Sequence, residues 1–345
     1  MKLSMGLSYA GGFAQAVDQV VEREKAGIDM VWVAEAYGND APTLMGYLAA
    51  KTERVEIASG ILPIFTRTPT LLAMTAAGLD ELSGGRAVLG LGASGPQVIE
   101  GFHGIPYDRP LQRTREIIEI CRKVWRRERV VHDGAAYQLP LPEGQGTGLG
   151  KPLKIITHPQ RADIPIYVAS LGPKNVQMTA ELADGWLPIF YNPRKARDVW
   201  GEDLDAGFAK RAPELGPLQV VAGGVVGFGN DEAARKVRDA NRPMTALYVG
   251  GMGARDKNFY NDLFCRYGYE AEAKEIQDLY LDGLKDEAAS KIPDEFLQAS
   301  SLFGDEGFVR EQVQAYRESG VTALSVTPAG PNPLEIIEKV KAWAE

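Results

Sequence analysis

The feature that most constrains the fold of this chain is a regular alternation of short apolar segments with amphipathic helical segments. Eight segments have the length of β-strands and are mostly apolar on both faces, as is typical of parallel strands covered by helices. They lie at residues 3–9, 30–35, 55–63, 87–92, 164–170, 185–190, 219–228 and 323–328. Eight βα units without a linker predict an α/β fold, a (β/α)8 TIM barrel that occupies residues 1–345 as a single domain.

Two segments are too long to be ordinary connections of such a barrel. Residues 130–163, after the fourth strand, are rich in glycine and proline and contain short β-like pieces. Residues 243–303, after the seventh strand, have a mostly helical pattern. The sequence therefore predicts two insertions, one after strand four and one after strand seven.

The stretch VLGLGASGPQ (88–97) contains Gly90-x-Gly92-x-x-Gly95, which matches the dinucleotide fingerprint of a Rossmann fold. That fingerprint sits in the first βα turn of its domain and is followed about 20 residues later by an acid at the end of a strand. Here three βα units precede the glycines, and the helical stretch RTREIIEICRKVW follows them. The motif is therefore interpreted as the loop after barrel strand four, where glycine allows a close approach to a ligand.

Composition excludes several function classes. The net charge of −8 argues against nucleic acid or an anionic membrane as partner. No apolar run reaches the roughly 18 residues of a membrane span, and the N-terminus lacks the features of a signal peptide. Cys121 and Cys265 form no disulfide framework and show no metal-ligand spacing. We expect a cytoplasmic protein without a metal site.

Barrel enzymes carry their active sites on the loops at the carboxyl ends of the strands. In this chain those loops are small, apolar and aromatic, and no HExxH or GxSxG motif accompanies them. Such loops favour a bound planar cofactor that brings its own reactivity. The candidate cofactor-binding residues are Ala10, Ala36, Ser59, Gly60, Ile61, Gly92, Ala93, Ser94, Gly95, Ser170, Leu171, Gly172, Pro173, Lys174, Asn175 and Tyr191.

Titratable side chains are rare in these loops. Glu35 is the only carboxylate expected at a strand end, and it is interpreted either as a catalytic group or as an ion-paired residue of the barrel rim. His103, His132 and His158 lie outside the strand ends and are expected to be structural or surface residues. We expect His103 to lie on a helix or at its exit.

The turn SLGPKN (170–175) is the strongest candidate for a phosphate site. Gly172 permits close backbone approach, Lys174 adds a full charge, and Asn175 is predicted to cap the helix that follows. The N-terminus of that helix offers free N–H groups and a positive dipole.

Five blocks in order carry a family resemblance: GIDMVWVAEAYG, VEIASGILPIFTRTP, GGRAVLGLGASGPQVIEGFHGIPY, RTREIIEICRKVWRRE and LGPKNVQMTAELADGW. Together they resemble the luciferase-like (β/α)8 family. Within it they are similar to the oxidoreductases that depend on the deazaflavin coenzyme F420, the branch of methylenetetrahydromethanopterin reductase. The resemblance covers nearly the whole chain.

The resemblance implies a homodimeric oxidoreductase that moves a hydride between C5 of F420 and a small organic substrate. It implies a cis peptide bond between Gly60 and Ile61 that backs the deazaflavin ring. It also implies that residues 92–95 line the cofactor pocket and that residues 172–174 hold the cofactor phosphate.

One position departs from the family pattern. F420-dependent relatives that act on sugar phosphates or alcohols carry a histidine after the acid of strand two, where this chain has Ala36. An activated C=C or C=N bond is therefore a better expected substrate than an alcohol. The proton donors available are Glu35, Tyr9, Tyr191 or water, and Glu35 and Tyr9 are the candidate catalytic residues.

Three alternatives stay open. The first is an FMN-dependent monooxygenase of the same superfamily. FMN lacks the acidic tail of F420, and that tail needs cations near the mouth of the barrel. The candidates for those cations are Lys174, Arg194, Lys195, Arg255 and Lys257. The other two alternatives are an F420- or flavin-binding protein without turnover and a sugar-phosphate barrel enzyme without a redox cofactor.

Overall fold

The structure is a computed structural model that describes residues 1–7, 11–253 and 255–345. The strands are β1 (Lys2–Leu7), β2 (Met30–Val33), β3 (Glu56–Ser59), β4 (Leu62–Pro63), β5 (Ala87–Gly92), β6 (His132–Asp133), β7 (Gln138–Leu139), β8 (Ile166–Val168), β9 (Gly185–Trp186), β10 (Gln219–Phe228), β11 (Leu302–Gly304) and β12 (Ala323–Pro328).

Helices cover most of the remaining chain. They are α1 (Phe13–Lys25), α2 (Ala41–Lys51), α3 (Pro69–Ser83), α4 (Pro96–Gly101), α5 (Pro110–Trp125), α6 (Pro173–Leu182), α7 (Ala196–Phe208), α8 (Glu232–Asp239), α9 (Arg242–Ala246), α10 (Phe259–Arg266), α11 (Glu270–Leu281), α12 (Lys285–Ser290), α13 (Asp294–Ala299), α14 (Glu306–Glu318) and α15 (Pro333–Ala344). A 3₁₀ turn (Pro213–Leu215) and a π-helical turn (Leu247–Gly251) complete the set.

Eight strands form a closed parallel barrel in the order β1, β2, β3, β5, β8, β9, β10 and β12. Closure comes from the pairing of β9 with β10 and of β12 with β1. Each barrel strand overlaps one of the eight segments predicted from the apolar pattern, so the predicted TIM barrel is confirmed. The short strands β4 and β11 add parallel pairings to β5 and β10.

Local sequence signals explain why helices begin and end where they do. At the start of α3, the Thr68 hydroxyl accepts a hydrogen bond from the N–H of Leu71 at 3.2 Å, and Pro69 occupies the first helical position. At its end, Gly84 adopts a left-handed conformation with φ of 67°. These are the preferred residues for an N-cap, a first position and a C-terminal stop.

The barrel wall separates two apolar layers. Inward-facing residues form a small cluster of Met30, Trp32, Ala58, Val88, Tyr167, Val221 and Ala323. Alternate strand residues point outward and pack with the helices in a much larger cluster. This division follows from the period of two in a β-strand, since both faces of each strand are buried.

Both predicted insertions are present. The first contains the antiparallel pair β6 and β7, and the buried Glu116 of α5 holds it by accepting hydrogen bonds from the N–H groups of Ala136 and Tyr137. The second contains α9 to α13 and the π-helical turn. None of the helices in the described ranges is both long enough and apolar enough to cross a membrane.

Candidate functional site

The carboxyl end of the barrel opens beside two aromatic rings. Trp32 of β2 and Tyr167 of β8 lie inside the barrel with their ring centroids 5.7 Å apart. Their partners in the strand register are small: Gly6 lies opposite Trp32, and Gly90 lies opposite Tyr167. Gly6 is exposed, and a Cβ added to it would meet no atom within 4 Å. The rings therefore form a floor with open space beside it.

The end of strand three packs closely against strand four. The peptide bond between Gly60 and Ile61 is cis, which confirms the bond that the resemblance implied. The Ser59 hydroxyl donates to the Gly90 carbonyl at 2.8 Å and accepts from the Gly90 N–H at 2.8 Å. A Cβ on Gly90 would lie 1.8 Å from the Ser59 carbonyl oxygen, and one on Gly92 would lie 2.7 Å from Cγ1 of Ile61. Packing between strands therefore requires both glycines.

The glycine motif ends in a loop and not in a dinucleotide-binding turn. Gly92 is the last residue of β5, and Gly95 is the N-cap residue of the six-residue helix α4. Between them, Ala93 and Ser94 are half-buried, and Ser94 has a left-handed φ of 59°. The interpretation of residues 92–95 as the loop after barrel strand four is confirmed.

The turn after β8 has the features of an anion cradle. Gly172 is the N-cap residue of α6, it has no side-chain cap, and a Cβ there would meet nothing within 4 Å. The first turn of a helix leaves N–H groups without intrahelical partners. A hydrogen bond fixes the start of the turn to α6, because the buried Ser170 hydroxyl lies 2.9 Å from the Thr179 hydroxyl. Pro173 and Lys174 are exposed, and Leu171 is half-buried with its carbonyl accepting from Trp200 Nε1 at 3.1 Å.

Asn175 does not cap α6, so that prediction is wrong. The helix begins at Pro173, three residues earlier than expected, because proline is favoured at the first helical position. Asn175 therefore lies inside the first turn, where its N–H donates to the Gly172 carbonyl at 3.0 Å. Its Oδ1 atom is buried without a hydrogen-bond partner in the described part of the chain. Such an atom marks a place where a ligand or a water completes the hydrogen bonding.

Glu35 follows β2 as expected, but its carboxylate is already held. Arg67 donates to both carboxylate oxygens, and the Nη2–Oε2 distance is 2.8 Å. Oε2 also accepts from the N–H of Ala41, the first residue of α2, at 2.8 Å. Only 8% of the Glu35 side chain and 14% of the Arg67 side chain are exposed. This geometry favours the interpretation of Glu35 as an ion-paired rim residue.

Three other candidates lie apart from the mouth or outside the described ranges. The Tyr191 side chain is buried against the outer helices: its ring stacks on Trp200 at 5.8 Å, and its hydroxyl donates to the Ser319 carbonyl at 3.1 Å. The structure therefore places Tyr191 behind the strand ends and not among them. Tyr9 and Ala10 fall outside the described residues. Ala36 is half-buried beside Glu35.

Tyr191 instead lines a groove of about 760 Å³ on the outer face of the barrel between α7 and α14. Leu218 and Gly320, which precede β10 and β12, also line this groove. It therefore reaches the amino-terminal ends of these strands, whereas sites in barrel enzymes lie at the carboxyl ends.

The histidines lie away from the strand ends. His103 follows α4 directly, as expected, and its ring meets that of Phe102 edge-on at 5.1 Å. His132 belongs to β6, and His158 lies near the guanidinium of Arg127. Within the described ranges, no three histidine, cysteine or acidic residues are grouped so that they could hold a metal ion.

Sequence reasoning missed the residues that the second insertion brings to the mouth. Tyr248 and Tyr260 pack against Phe190, which follows β9, with ring centroids 5.7 and 6.3 Å from it. Arg67 was missed as the partner of Glu35. The sequence signal for the insertion residues was the density of aromatic residues in FYNDLFCRYGY, which the helical interpretation of the insertion did not use.

Comparisons with known proteins agree with the barrel fold. The profile of the family described as luciferase-like monooxygenase matches residues 1–323. A Mycobacterium tuberculosis protein that carries the provisional name coenzyme F420-dependent oxidoreductase is 45% identical over 332 residues, which cover 95% of each chain. The 5,10-methylenetetrahydromethanopterin reductase of Archaeoglobus fulgidus is 29% identical over 92% of this chain and 90% of its own. The solved F420-dependent tetrahydromethanopterin reductase of Methanopyrus kandleri superposes with a TM-score of 0.80 at 22% identity, covering 99% of this chain and 97% of that one.

Proposed function

This chain belongs to the luciferase-like monooxygenase family, and from that premise we propose that it is an oxidoreductase that uses coenzyme F420. The proposed reaction is hydride transfer between C5 of the deazaflavin and a small organic substrate with an activated C=C or C=N bond. The name of the M. tuberculosis relative supports F420 as the cofactor.

The observation that carries the proposal is a cradle and a cleft at the same end of the barrel. The cradle is the open turn at Gly172, which carries the N–H groups of the first turn of α6 next to the exposed Lys174. The cleft is the open space beside Trp32 and Gly6. A phosphate-bearing planar cofactor fits a site with both features, since the helix N-terminus takes the anion and the cleft takes the ring.

In this proposal each group of residues has a separate task. Bound F420 would supply a two-electron hydride carrier at C5. The turn from Ser170 to Lys174 holds the phosphate, and the packed edge of Gly60, Ile61 and Gly92 fixes the plane against which the ring lies. Glu35 joins the end of β2 to the start of α2 through the N–H of Ala41 and to the segment before α3 through Arg67, and so keeps the rim of the mouth in place.

The FMN-dependent alternative differs in the charge that the mouth must neutralise. Among the proposed tail-binding cations, Arg255 is paired with Asp278, Arg194 donates to Gln312, and Lys195 donates to the Tyr267 carbonyl. Lys174 and Lys257 are exposed. We therefore assign the acidic tail of F420 to the side of the mouth near Lys174, next to the proposed phosphate cradle.

Equilibrium titration of the apo protein tests the proposal. F420 should bind more tightly than FMN at physiological salt, as followed by cofactor fluorescence. Turnover with panels of enones and imines should then be measured with reduced F420. Tighter binding of FMN, or FMN that copurifies with the protein, would replace F420 by FMN in the assignment.

We also propose that the protein is a homodimer that pairs through α2 and α3. These helices expose Tyr47, Leu71 and Met74 although their other faces are buried. An exposed apolar face on packed helices is typical of an interface. Light scattering on size-exclusion peaks should give twice the mass of 37.5 kDa, and Met74→Glu should shift the peak toward the monomer.

A further inference from the structure

The inner face of β12 becomes polar toward the mouth of the barrel. Leu324 and Val326 of this strand pack in the outer layer, whereas Ala323 belongs to the inner cluster. Because side chains alternate along a strand, Ser325 and Thr327 also point into the barrel. Ser325 is half-buried, and Thr327, next to the last residue of β12, is exposed. Two hydroxyls therefore line this side of the barrel interior.

Strand β1 extends the polar face on one side of β12. Ser4 is paired with Ser325 in the strand register. Its neighbours Leu3 and Met5 pack in the outer layer, so Ser4 also points inward. On the other side of Ser325, its register partner in β10 is Gly223, which has no side chain. The interior of an eight-stranded barrel is filled by side chains, so these small neighbours leave room beside the Ser325 hydroxyl.

The hydroxyl wall, which consists of Ser4, Ser325 and Thr327, has hydrogen-bonding capacity that the described part of the chain does not use. Within that part, the hydroxyls of Ser325 and Thr327 have no hydrogen-bond partner. The Oγ atom of Ser4, a fully buried residue, has none either. Such groups mark a place where a ligand or a water completes the hydrogen bonding.

Trp32 turns a further unpaired donor toward the hydroxyl wall. The residue is only 8% exposed, and its Nε1 atom is buried without a hydrogen-bond partner among the described residues. A Cβ added to Gly60 would lie 3.2 Å from Cε3 of Trp32, so this edge of the indole faces the end of β3. Nε1 lies on the opposite edge of the indole and therefore faces β1.

The hydroxyl wall lies across the barrel from the edge to which the proposed function assigns the cofactor ring. That edge, made of Gly60, Ile61 and Gly92, follows β3 and ends β5. In the order of the eight barrel strands, β10 is four places from β3, and β12 is four places from β5. Strands four places apart face each other in a closed barrel of eight. A ring held at that edge therefore leaves the side of β12 for the substrate.

The hydroxyl wall carries no net charge. Lys2 is the only charged residue of β1 and β12, and its Nζ lies 2.7 Å from Oε2 of Glu56. At the rim of the mouth, Arg67 is paired with Glu35. A carboxylate placed against the hydroxyls would lose its hydration without gaining a cation, which is costly.

We propose that Ser325 and Thr327 are substrate-binding residues that select a small uncharged substrate with an acceptor atom in or next to its reducible bond, as in an imine or an enone. Their hydroxyls donate hydrogen bonds to the acceptor atom, and Ser4 and Trp32 continue the polar surface beneath it. Anionic substrates are rejected. This inference rests on the proposed function, since it names the substrate class of the same site.

Ligand-observed NMR titration of the protein saturated with oxidised F420 measures substrate binding without turnover. The probes are 2-cyclohexenone, which has the acceptor, cyclohexene, which lacks it, and cyclohex-1-enecarboxylate, which carries a charge. The wild type should bind 2-cyclohexenone more tightly than the carboxylate.

The variants Thr327→Val and Ser325→Ala each remove one hydroxyl with little change in shape. Each should weaken 2-cyclohexenone binding about two- to ten-fold, the range for one neutral hydrogen bond, and leave cyclohexene binding unchanged. Thr322→Val is the matched control, because Thr322 precedes the same strand and its hydroxyl bonds to the backbone of Val220. It should leave the affinity for every probe unchanged. Circular dichroism checks folding, and either hydroxyl variant alone suffices if the other does not fold.

The inference is overturned if the folded hydroxyl variants bind 2-cyclohexenone as the wild type does, or if they lose affinity for cyclohexene to the same extent. Carboxylate binding as tight as that of 2-cyclohexenone, or no binding of any probe, also overturns it. F420 fluorescence on the same samples separates this result from the proposed function. A hydroxyl variant that loses F420 affinity would assign these hydroxyls to the cofactor and not to the substrate. Absence of F420 binding in the wild type would refute the proposed function itself.

Discussion

Replacement of Glu35 by glutamine should reveal whether its carboxylate serves the fold or the chemistry. In the structure Arg67 donates to both carboxylate oxygens, and the two side chains are only 8% and 14% exposed. Glutamine keeps the shape and can still accept one of these hydrogen bonds, but it leaves a nearly buried guanidinium without its counter-charge. Breaking a buried pair in this way costs about 3–5 kcal/mol, and the remaining hydrogen bond reduces this to about 2–4 kcal/mol.

A double-mutant cycle with Arg67→Met isolates the ion pair. Each single variant leaves one charge buried and unpaired, whereas the double variant leaves neither. The double variant should therefore lose less stability than the sum of the singles, with a coupling of about 2–3 kcal/mol. Urea unfolding followed by tryptophan fluorescence measures all four proteins. Glu232→Gln is the control, since Glu232 pairs with Lys236 on a helix surface where both side chains are 76% exposed, and it should cost under about 0.5 kcal/mol.

The reasoning fails if the free energy of unfolding of Glu35→Gln is within about 0.5 kcal/mol of that of the wild type and the effects of the two single variants add up to that of the double variant. A stable Glu35→Gln protein that has lost turnover would instead identify Glu35 as the catalytic acid. A destabilised protein that turns over at the wild-type rate below its unfolding transition would assign it to the rim alone.

Four further outcomes are expected. Gly172→Asp should weaken F420 binding at least ten-fold in a fluorescence titration because it places a carboxylate at the proposed phosphate, whereas Gly172→Ala, which meets no atom within 4 Å, should bind nearly as wild type. Gly90→Ala should cost more than about 3 kcal/mol in urea unfolding because its Cβ would lie 1.8 Å from a backbone oxygen. His103→Ala should retain most activity, and a loss of about 100-fold or more in steady-state turnover would place a general acid on that loop. Burial raises the pKa of Glu116, but hydrogen bonds to its carboxylate lower that pKa more, so the folded-state pKa lies below the unfolded one. The contribution of Glu116 to stability is therefore complete above the unfolded pKa of about 4.3 and disappears as the pH falls through the folded-state pKa. Glu116→Gln should flatten the acid limb of a pH–stability profile.

Much of the fold could be predicted because its signal is local. Each of the eight barrel strands is an apolar run with a helix behind it, and each is found where the run predicts it. A parallel barrel places the loops that follow its strands at one end. The glycines of the β5 loop and the turn at Gly172 could therefore be predicted as loop residues from their positions after the predicted strands. The start of α6 was predicted three residues too late because the N-cap signal of a glycine is weaker than that of the nearby Asn175.

What the sequence by itself determined is therefore the barrel, its two insertions and the edge on which a site can lie, since strand periodicity and turn chemistry act over a few residues. Only the tertiary structure decided what those residues do. Glu35 meets Arg67 from 32 positions away, Tyr191 turns into the outer helices, and Tyr260 of the insertion packs on Phe190 after β9. No local pattern encodes such contacts, because each depends on where the closed barrel brings distant loops together. The sequence also does not distinguish a charged or aromatic side chain that is paired or packed from one that is free.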